Sequence, residues 1–258
     1  MYKKFIPLLI IALLLSSCAP MSNKRSENTV QASVNAIDYP LSPTEDAGQE
    51  YIDSFIFLGE STTYHLKSRG VLSGGKDTLQ VWAPKSGTLM LDPSIGSCRI
   101  VYPESGEEID IGEAVKRKKP KYMLLTFGLN GATGFIHKGK DNFIYCYKRL
   151  TETIISASPD TKIILQSCFP VAQNMDMSGY SIDASTLNGY IDTLNTWTME
   201  LAQKHSFAYL NTCEVLKDSN GALLEVYQSG DGYHLSREAY LKILEYVRCH
   251  AYLKEITK

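Results

Sequence analysis

Short apolar runs alternate along the chain with stretches in which apolar residues recur every three or four positions. Phe55-Ile56-Phe57-Leu58, stopped by Gly59, has the pattern of a strand buried on both faces. Leu79 to Trp82, Tyr122 to Phe127, Ile163 to Gln166 and Phe207 to Leu210 repeat it, and Arg99 to Tyr102 is a shorter candidate. Glu108 to Lys119 predicts a helix stopped by Pro120. Phe143, Tyr147, Leu150 and Ile154 share one face of a second helix ending near Pro159, and Leu187, Ile191, Leu194 and Leu201 mark a third. A last helix is expected to start from Ser236 as N-cap and to carry Tyr240, Ile243, Leu244, Val247 and Ala251 on one face. Strands alternating with helices predict an α/β domain with a mostly parallel sheet, whose ligands bind at the carboxyl ends of the strands. No internal repeat and no second domain is read.

The amino terminus follows a different pattern. Lys3 and Lys4 precede an apolar run from Phe5 to Leu15, which is too short for a membrane-spanning helix but suits the core of a secretory signal. The run closes on Leu15-Ser16-Ser17-Cys18, which resembles the lipobox of bacterial lipoproteins. That resemblance implies cleavage after residue 17, lipidation of Cys18 and an extracytoplasmic protein anchored to the membrane. Residues 18–50 are polar and punctuated by Ser, Asn and Pro, and are read as a lipidated cysteine followed by a flexible tether. Residues 51–258 form the expected globular domain.

Composition narrows the function. Hydrophobic residues make up 44% and charged residues 21% of 258, an ordinary balance for a globular protein. Net charge is -2, and losing Lys3 and Lys4 with the signal makes it more acidic, so no nucleic-acid partner is expected. The basic run Lys116-Arg117-Lys118-Lys119 reads as the solvated end of a helix. Cys98, Cys146, Cys168, Cys213 and Cys249 show no zinc-ligand spacing, and no metal or other cofactor is expected.

Three short motifs carry candidate chemistry. Gly59-Glu60-Ser61 places a hydroxyl just after a strand and at a helix start, where the backbone favours developing negative charge. Asp231-Gly232-Tyr233-His234 puts an acid and an imidazole on one glycine-bent loop, so that Asp231 can fix the tautomer and leave Nε2 free. Gly128-Leu129-Asn130 follows the strongest strand and can aim an amide N–H into the same cleft, although Asn-Gly is also an ordinary turn.

Taken in order, these motifs resemble the blocks of the SGNH/GDSL hydrolase family, and they span nearly the whole globular part. The resemblance implies a three-layer α/β/α, flavodoxin-like fold with about five strands. It implies a serine esterase with Ser61, Asp231 and His234 as triad, and an oxyanion hole formed by Ser61, Gly87 and Asn130. Gly87 is the best positional match to the family's second block, with Gly96, Gly74 and Gly75 as rivals. The family's usual Gly-Asp-Ser reads Gly-Glu-Ser, so Glu60 must pack one extra methylene. His65, His137, His205 and His250 match no family position and are assigned to surface or packing. The expected substrate is an acetyl or other short-chain ester, on carbohydrate or peptidoglycan. Two alternatives use the same residues or fold: a lipase, lysophospholipase or thioesterase, and a non-catalytic surface binding protein.

Overall fold

Alternation along the strands decides which helices each face of the sheet receives. The computed structural model describes residues 37–252. In chain order its α-helices and strands are α1 (Gly48–Asp53), β1 (Phe55–Gly59), α2 (Ser61–Ser68), β2 (Val81–Trp82), β3 (Arg99–Val101), β4 (Glu108–Asp110), α3 (Ile111–Lys118), β5 (Tyr122–Thr126), α4 (Ala132–Lys138), α5 (Lys140–Ala157), β6 (Lys162–Gln166), α6 (Ala184–His205), β7 (Ala208–Leu210) and α7 (Arg237–Cys249). Five strands pair in parallel in the order β2-β1-β5-β6-β7, and β3 and β4 form a separate antiparallel pair.

Ile56 and Leu58 of β1, Met123 and Leu125 of β5, and Ile163 and Leu165 of β6 face one layer. There they meet Ile111 of α3, Tyr147 and Leu150 of α5, and Ile191 and Leu194 of α6. Phe55, Phe57, Tyr122, Leu124 and Ile164 face the other layer, against Ile52 of α1, Leu66 of α2, and Tyr240, Ile243 and Val247 of α7. Each strand is therefore apolar on both sides, which is why it reads as a continuous hydrophobic run. This is a three-layer α/β/α fold, as expected from the sequence.

The strand order creates the site. From β1 the chain moves outward to β2, then returns to the opposite side of β1 as β5. The direction reverses between β1 and β5, and a crevice opens at their carboxyl ends. Gly59 pairs with Thr126 in register, so the segments starting at Glu60 and Phe127 leave adjacent strands at one edge.

The structure departs from the sequence pattern at two of these segments. Glu108–Asp110 is a strand rather than the first turn of a helix, and α3 begins at Ile111 with Asp110 as its cap. Ile109 alternates with two acids, so the pattern suits an edge hairpin with Arg99–Val101 as well as a helix start. The tether does not extend to residue 50. Leu41 is buried, and its N–H bonds Tyr209 O at 2.9 Å. Asp46 pairs with Arg248, and α1 starts at Gly48. The polar composition of this stretch concealed the few apolar residues that fasten it to the domain. The lipobox and Cys18 lie outside the described residues. Among the described residues, no helix is long and apolar enough to cross a membrane, and all five cysteines are free thiols.

Candidate active site

Ser61 opens α2 two residues beyond the end of β1. The turn that delivers it is tight. A Cβ on Gly59 would lie 2.2 Å from Thr63 Oγ1 and 2.4 Å from Thr126 O, so only glycine fits. Among the described residues, no backbone acceptor takes the N–H of Ser61 or Thr62, as expected at a helix start. Tyr240 of α7 donates to Thr62 O at 2.7 Å and ties the last helix of the domain to this first turn.

The segment after β6 brings the other end of the chain to the same edge. Ala172 N–H donates to Gly232 O at 2.8 Å. Gly232 has φ +74°, and a Cβ there would stand 2.8 Å from Met175 Cα. The loop therefore needs glycine both for its conformation and for its close packing. Ser229 N–H closes it on His234 O at 2.8 Å.

The two ends meet. Ser61 Oγ lies 3.2 Å from His234 Nε2, and His234 Nδ1 lies 2.6 Å from Asp231 Oδ2. The other Asp231 oxygen accepts the N–H groups of His234 at 2.7 Å and Tyr233 at 2.9 Å. Partial burial pushes the Asp231 carboxyl up, but the bonds from the His234 backbone and ring and from Tyr233 N–H outweigh it and hold the carboxyl at about 2. Asp231 is thus an anion at neutral pH, and Nδ1 carries the proton it binds. Nε2 is left as an acceptor facing a hydroxyl, an arrangement able to take the serine proton and to release an oxygen nucleophile.

Glu60 shows what the longer side chain does. It is 2% exposed, and its two oxygens accept the N–H groups of Gly128 and Asn130, each at 3.0 Å. The acid beside Ser61 therefore clamps the loop that carries Asn130. Burial drives its carboxyl up to about 8, against the opposing pull of the backbone N–H groups of Gly128, Asn130 and Leu129. The Asn130 side chain faces the cleft, with Nδ2 donating to Thr88 Oγ1 at 3.2 Å and Oδ1 accepting from Tyr233 OH at 2.5 Å.

Gly87 does not offer its N–H to this cleft. That N–H donates to Pro84 O at 2.9 Å, closing a turn. The residue of this loop that touches Asn130 is its neighbour Thr88. The short segment Pro84 to Thr88 carries no periodic pattern, so sequence could place the loop but not assign its hydrogen bonds.

Two further residues were hidden in the sequence. His65 packs against His234 with ring centroids 4.6 Å apart and the planes tilted by 46°. Burial, and then the neighbouring His234 and Arg69, lower its pKa to about 4, so it is uncharged at neutral pH. Its position four residues after Ser61 puts both on one helical face, and that spacing was the available signal. Tyr233 is the third residue of Asp231-Gly232-Tyr233-His234, where the motif itself assigns no role. His137, His205 and His250 make no hydrogen bond to Ser61, Asp231 or His234.

Beyond Asn130 the crevice widens into a cleft of about 550 Å³, walled by Leu129, Ala132, Ile182, Leu187 and Tyr233, with Tyr180 at its mouth. Among the described residues, no group of His, Cys, Asp and Glu side chains is placed to hold a metal ion.

Comparison with known proteins adds a family and a set of distant structures. The profile of the GDSL-like lipase/acylhydrolase family matches residues 57–242. No curated protein matches the sequence. A candidate platelet activating factor from Streptococcus pneumonia is 16% identical, over 76% of this chain and 82% of that one, with a TM-score of 0.48. A candidate lipolytic protein of the G-D-S-L family from Desulfitobacterium hafniense is 15% identical, over 76% and 98%, with a TM-score of 0.47. A catalytic mutant of an acetylxylan esterase from Geobacillus stearothermophilus is 17% identical, over 58% and 75%, with a TM-score of 0.38.

Proposed function

The chain belongs to the GDSL-like lipase/acylhydrolase family, and on that premise we propose that it hydrolyses carboxylic esters with Ser61 as nucleophile, His234 as general base and Asp231 as the acid that orients the imidazole. The observation that carries the reading is the unbroken line from Ser61 Oγ through the His234 ring to Asp231, at 3.2 and 2.6 Å.

In this reading His234 Nε2 takes the Ser61 proton while Oγ bonds to the ester carbonyl carbon. The carbonyl oxygen becomes an oxyanion, met by Ser61 N–H and one Asn130 Nδ2–H. The imidazolium returns its proton to the departing alcohol oxygen, and an acyl-serine remains. Water then gives a proton to His234, attacks the acyl carbon and releases the acid, restoring the serine hydroxyl. Asp231 stays ionised throughout and balances the transient charge on the ring.

The proposed substrate is an acetyl or other short-chain ester of carbohydrate or peptidoglycan. A cleft of about 550 Å³ has room for an alcohol far larger than an acetyl group, and Tyr180 and Tyr233 supply rings of the amphipathic type that pack on sugar faces. The proposed location is outside the cytoplasm, anchored by lipid on Cys18, and its support is the Lys3 to Cys18 pattern alone. Cys18→Ser is expected to abolish incorporation of labelled palmitate, and unchanged incorporation refutes the anchor. Turnover of p-nitrophenyl acetate tests the chemistry. Wild type should release nitrophenolate and Ser61→Ala should not. Equal rates for both proteins would overturn the assignment.

A further inference from the structure

An asparagine amide serves an oxyanion only when its NH2 end faces the reacting oxygen, and nothing in the covalent structure of Asn130 decides which end that is. The side chain has one accepting oxygen and two donating N–H bonds, and its terminal torsion is broad. Its surroundings make the choice. Thr88 Oγ1 gives its own proton to Leu89 O at 3.3 Å, so toward Asn130 it can only accept. Nδ2 therefore faces Thr88. Oδ1 then points the other way, where Tyr233 OH donates to it at 2.5 Å. One Nδ2–H is spent on Thr88 and the second remains for the cleft.

We propose that Tyr233 is a positioning residue for this amide, holding Asn130 Oδ1 so that the free Nδ2–H is aimed at the developing oxyanion. The assignment rests on the esterase reading above and extends it to a residue whose side chain need not touch the reacting atoms. Tyr233 is itself held by the acid of the proposed triad, since its N–H donates to Asp231 Oδ1 at 2.9 Å. Its ring stands edge-on to His234 with centroids 5.0 Å apart. One four-residue loop thus sets the direction of the base and, through a phenol, the direction of the oxyanion donor. Glu60 fixes the Asn130 main chain by accepting its N–H at 3.0 Å.

The test is a double-mutant cycle on p-nitrophenyl acetate. Tyr233→Phe keeps the ring and removes the hydroxyl. It should lower kcat by about 10- to 100-fold, less than the 10²–10³ typical of losing the donor itself, and leave KM within about twofold. In an Asn130→Ala background the same change should alter kcat by less than about twofold, because no amide remains to be aimed. Thr88→Val removes the other anchor while keeping Tyr233, and should show the same pattern. Thermal melts establish that each variant is folded. An unchanged kcat in folded Tyr233→Phe, an equal loss in the Asn130→Ala background, or a rise in KM alone would overturn the proposal, the last making Tyr233 only a wall of the cleft. Wild-type turnover is read first. Its absence would overturn the esterase reading and this assignment together, whereas turnover insensitive to Tyr233→Phe would overturn this assignment alone.

Discussion

Replacing Glu60 by glutamine should change how the protein's stability depends on pH. The carboxyl is buried and titrates at about 8 in the fold, against 4.5 as its ordinary value. A folded-state pKa above the unfolded one means that the native state binds the proton more tightly. That contribution is complete below pH 4.5 and is lost as pH rises through about 8. Each pKa unit corresponds to about 1.4 kcal/mol, so the climb from 4.5 to about 8 removes on the order of 5 kcal/mol. Glutamine cannot titrate. One of its ends still accepts a backbone N–H, while the other turns an NH2 toward a second donor at a fixed cost of about 1–3 kcal/mol. Urea unfolding of both proteins from pH 5 to pH 9 measures the effect. Wild type should start more stable and lose its advantage as pH rises, with a crossing before the end of the range. Taking the difference between the two profiles cancels His65 and Asp231, whose lowered pKa values act in the opposite direction and in both proteins alike. Parallel profiles, separated by a constant amount, would show that Glu60 does not titrate in this range.

Three further outcomes follow from the site. Asn130→Ala should lower kcat by about 10²–10³ with little change in melting temperature, and near-wild-type turnover would remove the amide from the oxyanion hole. Asp231→Asn should keep the loop but favour the wrong imidazole tautomer, costing on the order of 10⁴ in kcat, so a loss below tenfold would contradict the orienting role. Gly232→Ala forces a side chain into a left-handed conformation 2.8 Å from Met175 Cα. It should destabilise the fold by about 1–3 kcal/mol and impair turnover by moving His234, and an unaltered melt with full activity would show the loop to be slack.

The strands were legible because their burial on both faces writes an uninterrupted apolar run. Phe55 to Leu58 and Tyr122 to Phe127 fall within a residue of β1 and β5. Ser236 was legible as a cap, and its hydroxyl does accept from Ala239 N–H. Ser61, Asn130, Asp231 and His234 could be singled out because each sits at a strand end or on a glycine-bent loop. Other features depended on three-dimensional placement. No pattern in Pro84 to Thr88 reveals that the Gly87 N–H turns inward to Pro84 while Thr88 meets Asn130. The clamp by Glu60 needs the β1–β5 register before its reach to Gly128 and Asn130 can be seen. Leu41 fastens residues outside any regular element through a single buried side chain and a backbone bond to Tyr209, too sparse a signal to separate from a tether.

The proposed chemistry stands or falls on Ser61 being the hydroxyl that His234 activates. Treatment with a fluorophosphonate, followed by digestion and mass spectrometry, locates the reactive oxygen directly. A single phosphonyl adduct on Ser61 is expected, formed in wild type and lost in His234→Ala. An adduct on another residue, or an unmodified Ser61 in protein whose esterase activity has been abolished by the reagent, would contradict it.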